Sequence, residues 1–167
     1  MAFNLSTFKS GALPQGGARP TLFEINVSRL GNRIVLLGQS TQVPSLTMGT
    51  VEVPYFGRKI KLAGDRIYSE WSTVIMLDED FDVRSQLEDW SMAMNSAEGN
   101  IRTEIANAYK EDTQVKLYGK QGSVIRTYNL IGCWPSDIGP IELDWNSTDQ
   151  ISVYNVSWQF DYMDAGS

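Results

Sequence analysis

The chain has no histidine and a single cysteine among its 167 residues. Without histidine, the commonest general base and the commonest metal ligand are both missing. A Ser-His-Asp or Cys-His arrangement cannot be built, and a zinc site would have to rely on carboxylates and one thiol. Cys133 cannot close an internal disulfide, which leaves the redox compartment open and consistent with cytosolic synthesis. Beside Trp134 it reads as a small buried hydrophobe rather than a reactive thiol. Long apolar runs are missing as well. Ile34 to Leu37 and Val74 to Leu77 fall far short of the roughly 20 residues of a membrane span. Residues 1–19 lack the apolar core of a signal peptide, so the expectation is a soluble chain with no cleaved leader and no membrane.

Positive charge is scarce: 14 Lys and Arg stand against 20 Asp and Glu, a net charge of −6. Proteins that grip nucleic acid gain from neutralising phosphates, and no basic cluster here exceeds Arg58-Lys59 with Lys61. Tight DNA binding is not expected. The acidity suits a surface past which DNA moves without sticking.

What is present is an ordinary globular composition, 42% apolar and 11% aromatic, long enough to bury a core. It reads as an N-terminal arm over residues 1–19 and one β domain over residues 20–167. Gly11, Pro14, Gly16 and Gly17 break up the arm, yet Phe3, Leu5, Phe8 and Leu13 are scattered through it. An arm that orders against a neighbouring subunit would use them; a plain frayed terminus would not. Thr21 to Ser28 and Arg33 to Gly38 read as a hairpin across Gly31-Asn32.

Leu46 to Asp65 reads as a second, longer hairpin. Val51, Val53 and Tyr55 share one face, and Thr50 and Glu52 the other. Ile60 and Leu62 alternate with Lys59 and Lys61 on the return strand. Tyr55 and Phe56 fall at the tip, where exposed aromatics mark a contact site unless the tip folds back onto its own core. Ala63 to Arg66 reads as a polar break, and Tyr68 to Leu77 as the next strand. The acids from Asp78 to Asp82 imitate a calcium loop, but the sixth position is Val83 instead of Gly and the twelfth is Asp89 instead of Glu. They read better as the start of a helix, Asp82 to about Asn95, with an apolar stripe of Val83, Leu87, Trp90 and Met94.

Ala97 to Ala108 is weakly patterned and reads as a loop with a helical turn. Thr113 to Tyr118 and Val124 to Gly132 form a third hairpin. Leu130 to Trp145 reads as a fixed corner between strands, bracketed by Trp134 and Trp145 and bent at Pro135, Gly139 and Pro140. Gln150 to Tyr162 is the last strand, with Tyr154, Val156, Trp158 and Phe160 on one face. The count is at least seven strands and one helix, mainly β, and no constellation for catalysis, metal or cofactor.

Several ordered stretches carry a resemblance. They are Ala18 to Phe23, Arg58-Lys59-Ile60 followed by Ala63 to Arg66, Trp71 with Asp78-Glu79, Trp134-Pro135 through Gly139 to Leu143-Asp144-Trp145, and the closing Asp161-Tyr162. Together, from about residue 18 to 162, the chain resembles the tail tube proteins of contractile-tailed, T-even-type bacteriophages. The resemblance implies a β-sandwich or barrel subunit with one helix. Hexameric rings would join their long hairpins into a shared inner β-barrel and stack into a hollow tube. The implied place is the virion tail, assembled in the host cytoplasm. The implied partners are further copies of the chain, the tail sheath, the tape measure and the baseplate and tail terminator proteins, with DNA passing through the lumen without specific binding. On this view Thr50, Glu52, Lys59 and Lys61 are candidates for the lumen face. Phe3, Leu5, Phe8, Tyr55 and Phe56 are candidates for ring–ring contacts, and Trp134, Pro135, Gly139 and Trp145 for the structural corner. The fold alone does not separate a phage from a contractile injection or secretion apparatus. A monomeric β-sandwich that stacks ligands on Trp71, Trp134 or Trp145 is the competing class. An enzyme using Glu142 and Asp144 is a weaker one.

Overall fold

The computed structural model describes residues 9–13 and 16–166, side chains at 106 and 107 apart. In chain order the strands are β1 (Phe23–Val27), β2 (Gly38–Thr41), β3 (Leu46–Tyr55), β4 (Arg58–Tyr68), β5 (Trp71–Met76), β6 (Glu111–Tyr118), β7 (Val124–Ile138), β8 (Val153–Gln159) and β9 (Tyr162–Gly166). Among the described residues of the β domain, a 3-10 turn lies at Ser28–Leu30 and the α-helices are α1 (Arg33–Leu37), α2 (Asp82–Met94) and α3 (Ala106–Tyr109). Seven strands form one sheet path, β1-β6-β7-β8-β5-β2 with β9 also on β7, while β3 and β4 pair with each other alone.

β7 is the pivot of the body. Its first part pairs with β6 and β9, and its last part with β8. β8 and β9 follow one another along the same edge of β7, with Trp134 opposite Gln159 and Ile131 opposite Tyr162. The bend between the two halves sits at Gly132, whose φ of +68° is open to glycine and strained for other residues. Its N–H donates to Asp112 Oδ1 at 3.1 Å, and the Asp161 N–H donates to the Ile131 carbonyl at 2.9 Å. Lys110 Nζ closes the corner on Asp161 at 2.7 Å.

Alternation along the strands loads the core from both halves. Ile25 and Val27 of β1, Val115 of β6 and Leu130 of β7 meet Trp71 and Ile75 of β5 and Tyr154, Val156 and Trp158 of β8. Helix α2 adds Val83, Leu87 and Trp90, all buried, so its stripe covers the sheet. The Trp158 ring lies 5.4 Å from Trp71 and 5.9 Å from Trp90. Each of the three indole N–H groups has an acceptor: Trp71 donates to Thr41 Oγ1, Trp90 to the Tyr109 carbonyl and Trp158 to Thr73 Oγ1. A buried tryptophan so satisfied keeps its apolar gain without an unpaired donor.

Several expectations change. Arg33 to Gly38 is not the second arm of a hairpin: Arg33–Leu37 is a helical turn burying Ile34, and β1 pairs with β6 instead. Gly31 at φ +64° turns the chain away before β2 crosses to β5. Ala63 to Arg66 is no break, because β4 runs through it with a register shift opposite Gly49. Two facing glycines make that possible, since a Cβ on Gly64 would lie 3.1 Å from the Gly49 carbonyl carbon. Trp134 and Pro135 lie inside β7, with a register shift right after Pro135, a position where a missing N–H is tolerated. Ile141 to Trp145 is not extended ladder despite its alternation, and the last strand is interrupted at Phe160-Asp161.

The acids before α2 do not cap it. Phe81 is the N-cap residue, with no side-chain cap hydrogen bond. Asp78, Asp80 and Asp82 instead converge on the Arg33 guanidinium at 3.2, 3.1 and 3.2 Å. A second guanidinium, Arg29, grips Glu104 through two hydrogen bonds of 3.0 and 2.8 Å and stacks 5.1 Å over Trp90. That hydrogen bonding holds the Glu104 carboxyl below its ordinary pKa, against a smaller opposing effect of desolvation.

Gly132→Ala would force a side chain into the left-handed region and into the Asp161 carboxylate, and should cost about 1–3 kcal/mol by urea unfolding. A stable Gly132→Ala variant would contradict the bend. Because the folded pKa of Glu104 is depressed, its contribution is present above the unfolded carboxylate pKa and is lost as pH falls through the folded one. Glu104→Gln should therefore lower stability at neutral pH and flatten the acid limb of a stability–pH curve.

Candidate functional site

The hairpin of β3 and β4 stands apart from this core. It is a two-stranded sheet by itself, and nearly all of its residues are exposed. The register places Thr50 opposite Ala63, Glu52 opposite Lys61 and Pro54 opposite Lys59 on one face. Val51 opposite Leu62, Val53 opposite Ile60 and Tyr55 opposite Arg58 form the other. The four lumen candidates, Thr50, Glu52, Lys59 and Lys61, are thus brought together on a polar face, where Lys59 Nζ reaches Glu52 at 2.7 Å. The opposite face is apolar, and Val51, Val53, Ile60 and Leu62 are each about half exposed. A two-stranded ribbon is marginal in water, and a ribbon with an uncovered apolar face invites a partner.

At the tip Phe56 and Gly57 both take positive φ, 44° and 76°, the geometry of a tight hairpin turn. Asn or Gly is the usual first residue of such a turn, so a phenylalanine there is a conformational expense. Its ring is 90% exposed and meets Tyr55 edge-on at 4.7 Å. The tip does not fold back onto the core. Phe3, Leu5 and Phe8, the other expected contact residues, lie outside the described residues.

The remaining candidates scatter. Trp71 is fully buried, Trp134 is half-buried against Tyr109, and Trp145 is fully exposed, so the three form no stacking surface. Gly139 follows β7 and donates its N–H to the Asn155 carbonyl at 2.7 Å, fastening the strand end to β8. Asp144 accepts from the Asn146 backbone and side chain at 3.0 and 3.1 Å and so builds a local turn. Cys133 is buried, and burial pushes its thiol pKa up to about 12. Sequence reasoning missed the Arg33 cluster and the Gly132–Asp161 bend; the LIGCW glycine inside a strand pattern was the available signal for the second.

Residues 10–164 match the family described as phage tail tube protein. The chain is 32% identical over 147 residues to tail tube protein gp19 of Enterobacteria phage T4, covering 87% of this chain and 90% of that protein. It is 24% identical over 127 residues to the tail tube protein of Serratia phage KSP90, covering 76% and 72%. Its fold is similar to a chain of the PVC sheath–tube complex, an extracellular contractile injection system, with a TM-score of 0.70 at 15% identity and 99% of each chain covered. A chain of the anti-feeding prophage baseplate shares the fold at a TM-score of 0.64 and 13% identity, over 86% of this chain and 90% of that one. Matched by the family over residues 10–164, and identical to the T4 protein at 32% of 147 aligned residues, the chain belongs to the phage tail tube protein family.

Proposed function

We propose that copies of this chain close into hexameric rings and that the rings stack into the hollow inner tube of a contractile tail, the conduit for DNA ejection. The observation that carries this reading is the β3–β4 hairpin. Its outer edges have no strand partner among the described residues, and its apolar face has no cover. Edge-to-edge joining of hairpins from successive copies satisfies the edges, and a closed barrel has none left over. A ring built from one repeated heterologous contact closes by symmetry, and stacking then extends it.

Within such a barrel the polar face of Thr50, Glu52, Lys59 and Lys61 meets the watery lumen. The apolar face packs outward against the subunit bodies. Covering half-exposed side chains of this size is worth roughly 1 kcal/mol each, enough to bias assembly when repeated around a ring. Tyr55, Phe56 and the N-terminal arm contact the next ring. The sheath lies outside, with baseplate and terminator proteins at the ends and the tape measure inside during assembly. Support for the sheath and end proteins comes from the fold neighbours, which belong to a sheath–tube complex, a sheath/tube terminator and a baseplate.

Negative-stain microscopy of purified protein tests the hairpin's role. Leu62→Asp, on the apolar face, should abolish tubes while leaving the folded subunit intact, because none of residues 46–68 belongs to the buried core. Glu52→Gln, on the polar face, should leave tubes unchanged. Unaltered tubes from Leu62→Asp would refute the orientation. Phe56→Asn separates stability from assembly: the turn gains a residue suited to positive φ, worth about 1 kcal/mol, while the exposed ring is removed. The expected outcome is a subunit at least as stable by urea unfolding that stacks poorly, and deletion of residues 1–17 should likewise block stacking without unfolding it. Normal tube lengths from both variants would contradict the ring–ring assignment.

A further inference from the structure

Negative charge is gathered toward the end of the chain. Residues 127–167 hold Asp137, Glu142, Asp144, Asp149, Asp161 and Asp164 and no Lys or Arg, which equals the whole net charge of −6. Residues 46–68 run the other way, with Arg58, Lys59, Lys61 and Arg66 against Glu52 and Asp65, a net charge of +2. Glu142, Asp144 and Asp149 lie in the loop between β7 and β8, and among the described residues none of them is in an ion pair. The same loop exposes large apolar side chains: Trp145 is fully exposed, Leu143 85% and Ile151 68%. Leu143, Trp145, Ile151 and Val153 line an open cleft of about 400 Å³ together with Glu142 and Asp144.

The β5–β8 ladder places this loop and the β3–β4 hairpin at opposite ends. Trp71 opposite Trp158 lies beside the hairpin's root, where Tyr68 packs on Phe160 and the Ser69 N–H donates to the Ser45 carbonyl. Met76 opposite Val153 lies beside the loop, where the Leu77 N–H donates to the Ser152 carbonyl. The length of β5 separates the two by about 17 Å. Phe56 at the hairpin tip and Trp145 in the loop are both bare, so neither covers the other within one chain.

We propose that the β7–β8 loop of one copy is the seat for the hairpin tip of another. Tyr55 and Phe56 enter the cleft of Leu143, Trp145 and Ile151, and Arg58 meets Glu142 and Asp144. The inference rests on the stacking reading above and names the surface that the tip meets. Three observations select a second copy as the occupant. The tip is aromatic and the cleft is apolar with a bare indole, a pairing that gains from both burial and ring contact. Arg58 stands opposite Tyr55, and among the described residues it has no ion pair, while the loop holds carboxylates without a cation of their own. The two surfaces sit at opposite ends of one body, so each copy gives a tip and receives one. Such a head-to-tail contact repeats from copy to copy.

The test uses the full-length chain with photo-crosslinking benzoylphenylalanine at position 56, as an equal mixture of light- and heavy-nitrogen copies. The mixture is irradiated across a concentration series and the joined peptides are read by mass spectrometry. They should pair the tip with residues 139–153 and should mix light and heavy copies. Arg58→Glu and Glu142→Arg should each lower the yield of this crosslink about tenfold, and the two together in one chain should restore it. Trp145→Ser should remove the crosslink and leave urea unfolding unchanged, because the side chain covers nothing in the subunit. No crosslink between copies, crosslinks that spare the loop, or a reversed pair that fails to recover would overturn the proposal. A lysine-rich peptide that binds the loop, loses that binding in Trp145→Ser and leaves the tip crosslinked elsewhere would assign the loop to a basic partner and overturn the second copy. Negative-stain images of the same samples separate the two readings. Tubes whose crosslinks spare the loop keep the tube and refute the seat; loop crosslinks in samples without hollow rings keep the seat and refute the tube.

Discussion

One constraint governs this protein: among the described residues, nothing pairs the outer edges of the β3–β4 hairpin or covers its apolar face. Its residues belong to strands by every local measure, with alternating faces, a tight turn and a glycine-relieved bulge. Yet among the described residues it pairs with no third strand and places no residue in the buried core. In a monomer that is a liability, an apolar ribbon with open edges. In the repeating assembly proposed above, the same features would form the joint between copies. The family membership of the chain makes it a component of a virion tail.

The body of the fold is what a stiff joint requires. The paired tryptophans, the Gly132 bend and the long β7 strand tie both halves of the sheet into one core. Helix α2 is bound to that core through Trp90, and the loop after it through Arg29 and Glu104. The three buried indole N–H groups are all paired, so the body holds its shape while the hairpin projects from it. Charge is divided along the same line, acidic on the body and basic on the hairpin.

Much of the frame was legible in the sequence. The long hairpin, the α2 stripe, the third hairpin and the Tyr154–Trp158 face all follow from periodicity, because each buries or exposes one consistent face. The polar grouping of Thr50, Glu52, Lys59 and Lys61 was legible too, since antiparallel pairing preserves alternation. Misreadings came where partners far apart in sequence decided the outcome. RIVLL reads as a strand until its neighbours, β1 and β5, choose other partners. Pro135 reads as a breaker until the register shift just after it, against β8, accommodates it. The acids before α2 read as caps because nothing local announces that Arg33 will sit among them.

The most direct test of the central claim is amide hydrogen exchange over residues 46–68, in dissociated subunits and in tubes. If the hairpin is completed by other copies, its edge amides exchange quickly in the subunit and gain strong protection in the tube, while β5 and β8 are protected in both. Equal exchange of the hairpin in both states would show that assembly leaves it unpaired and would contradict the account.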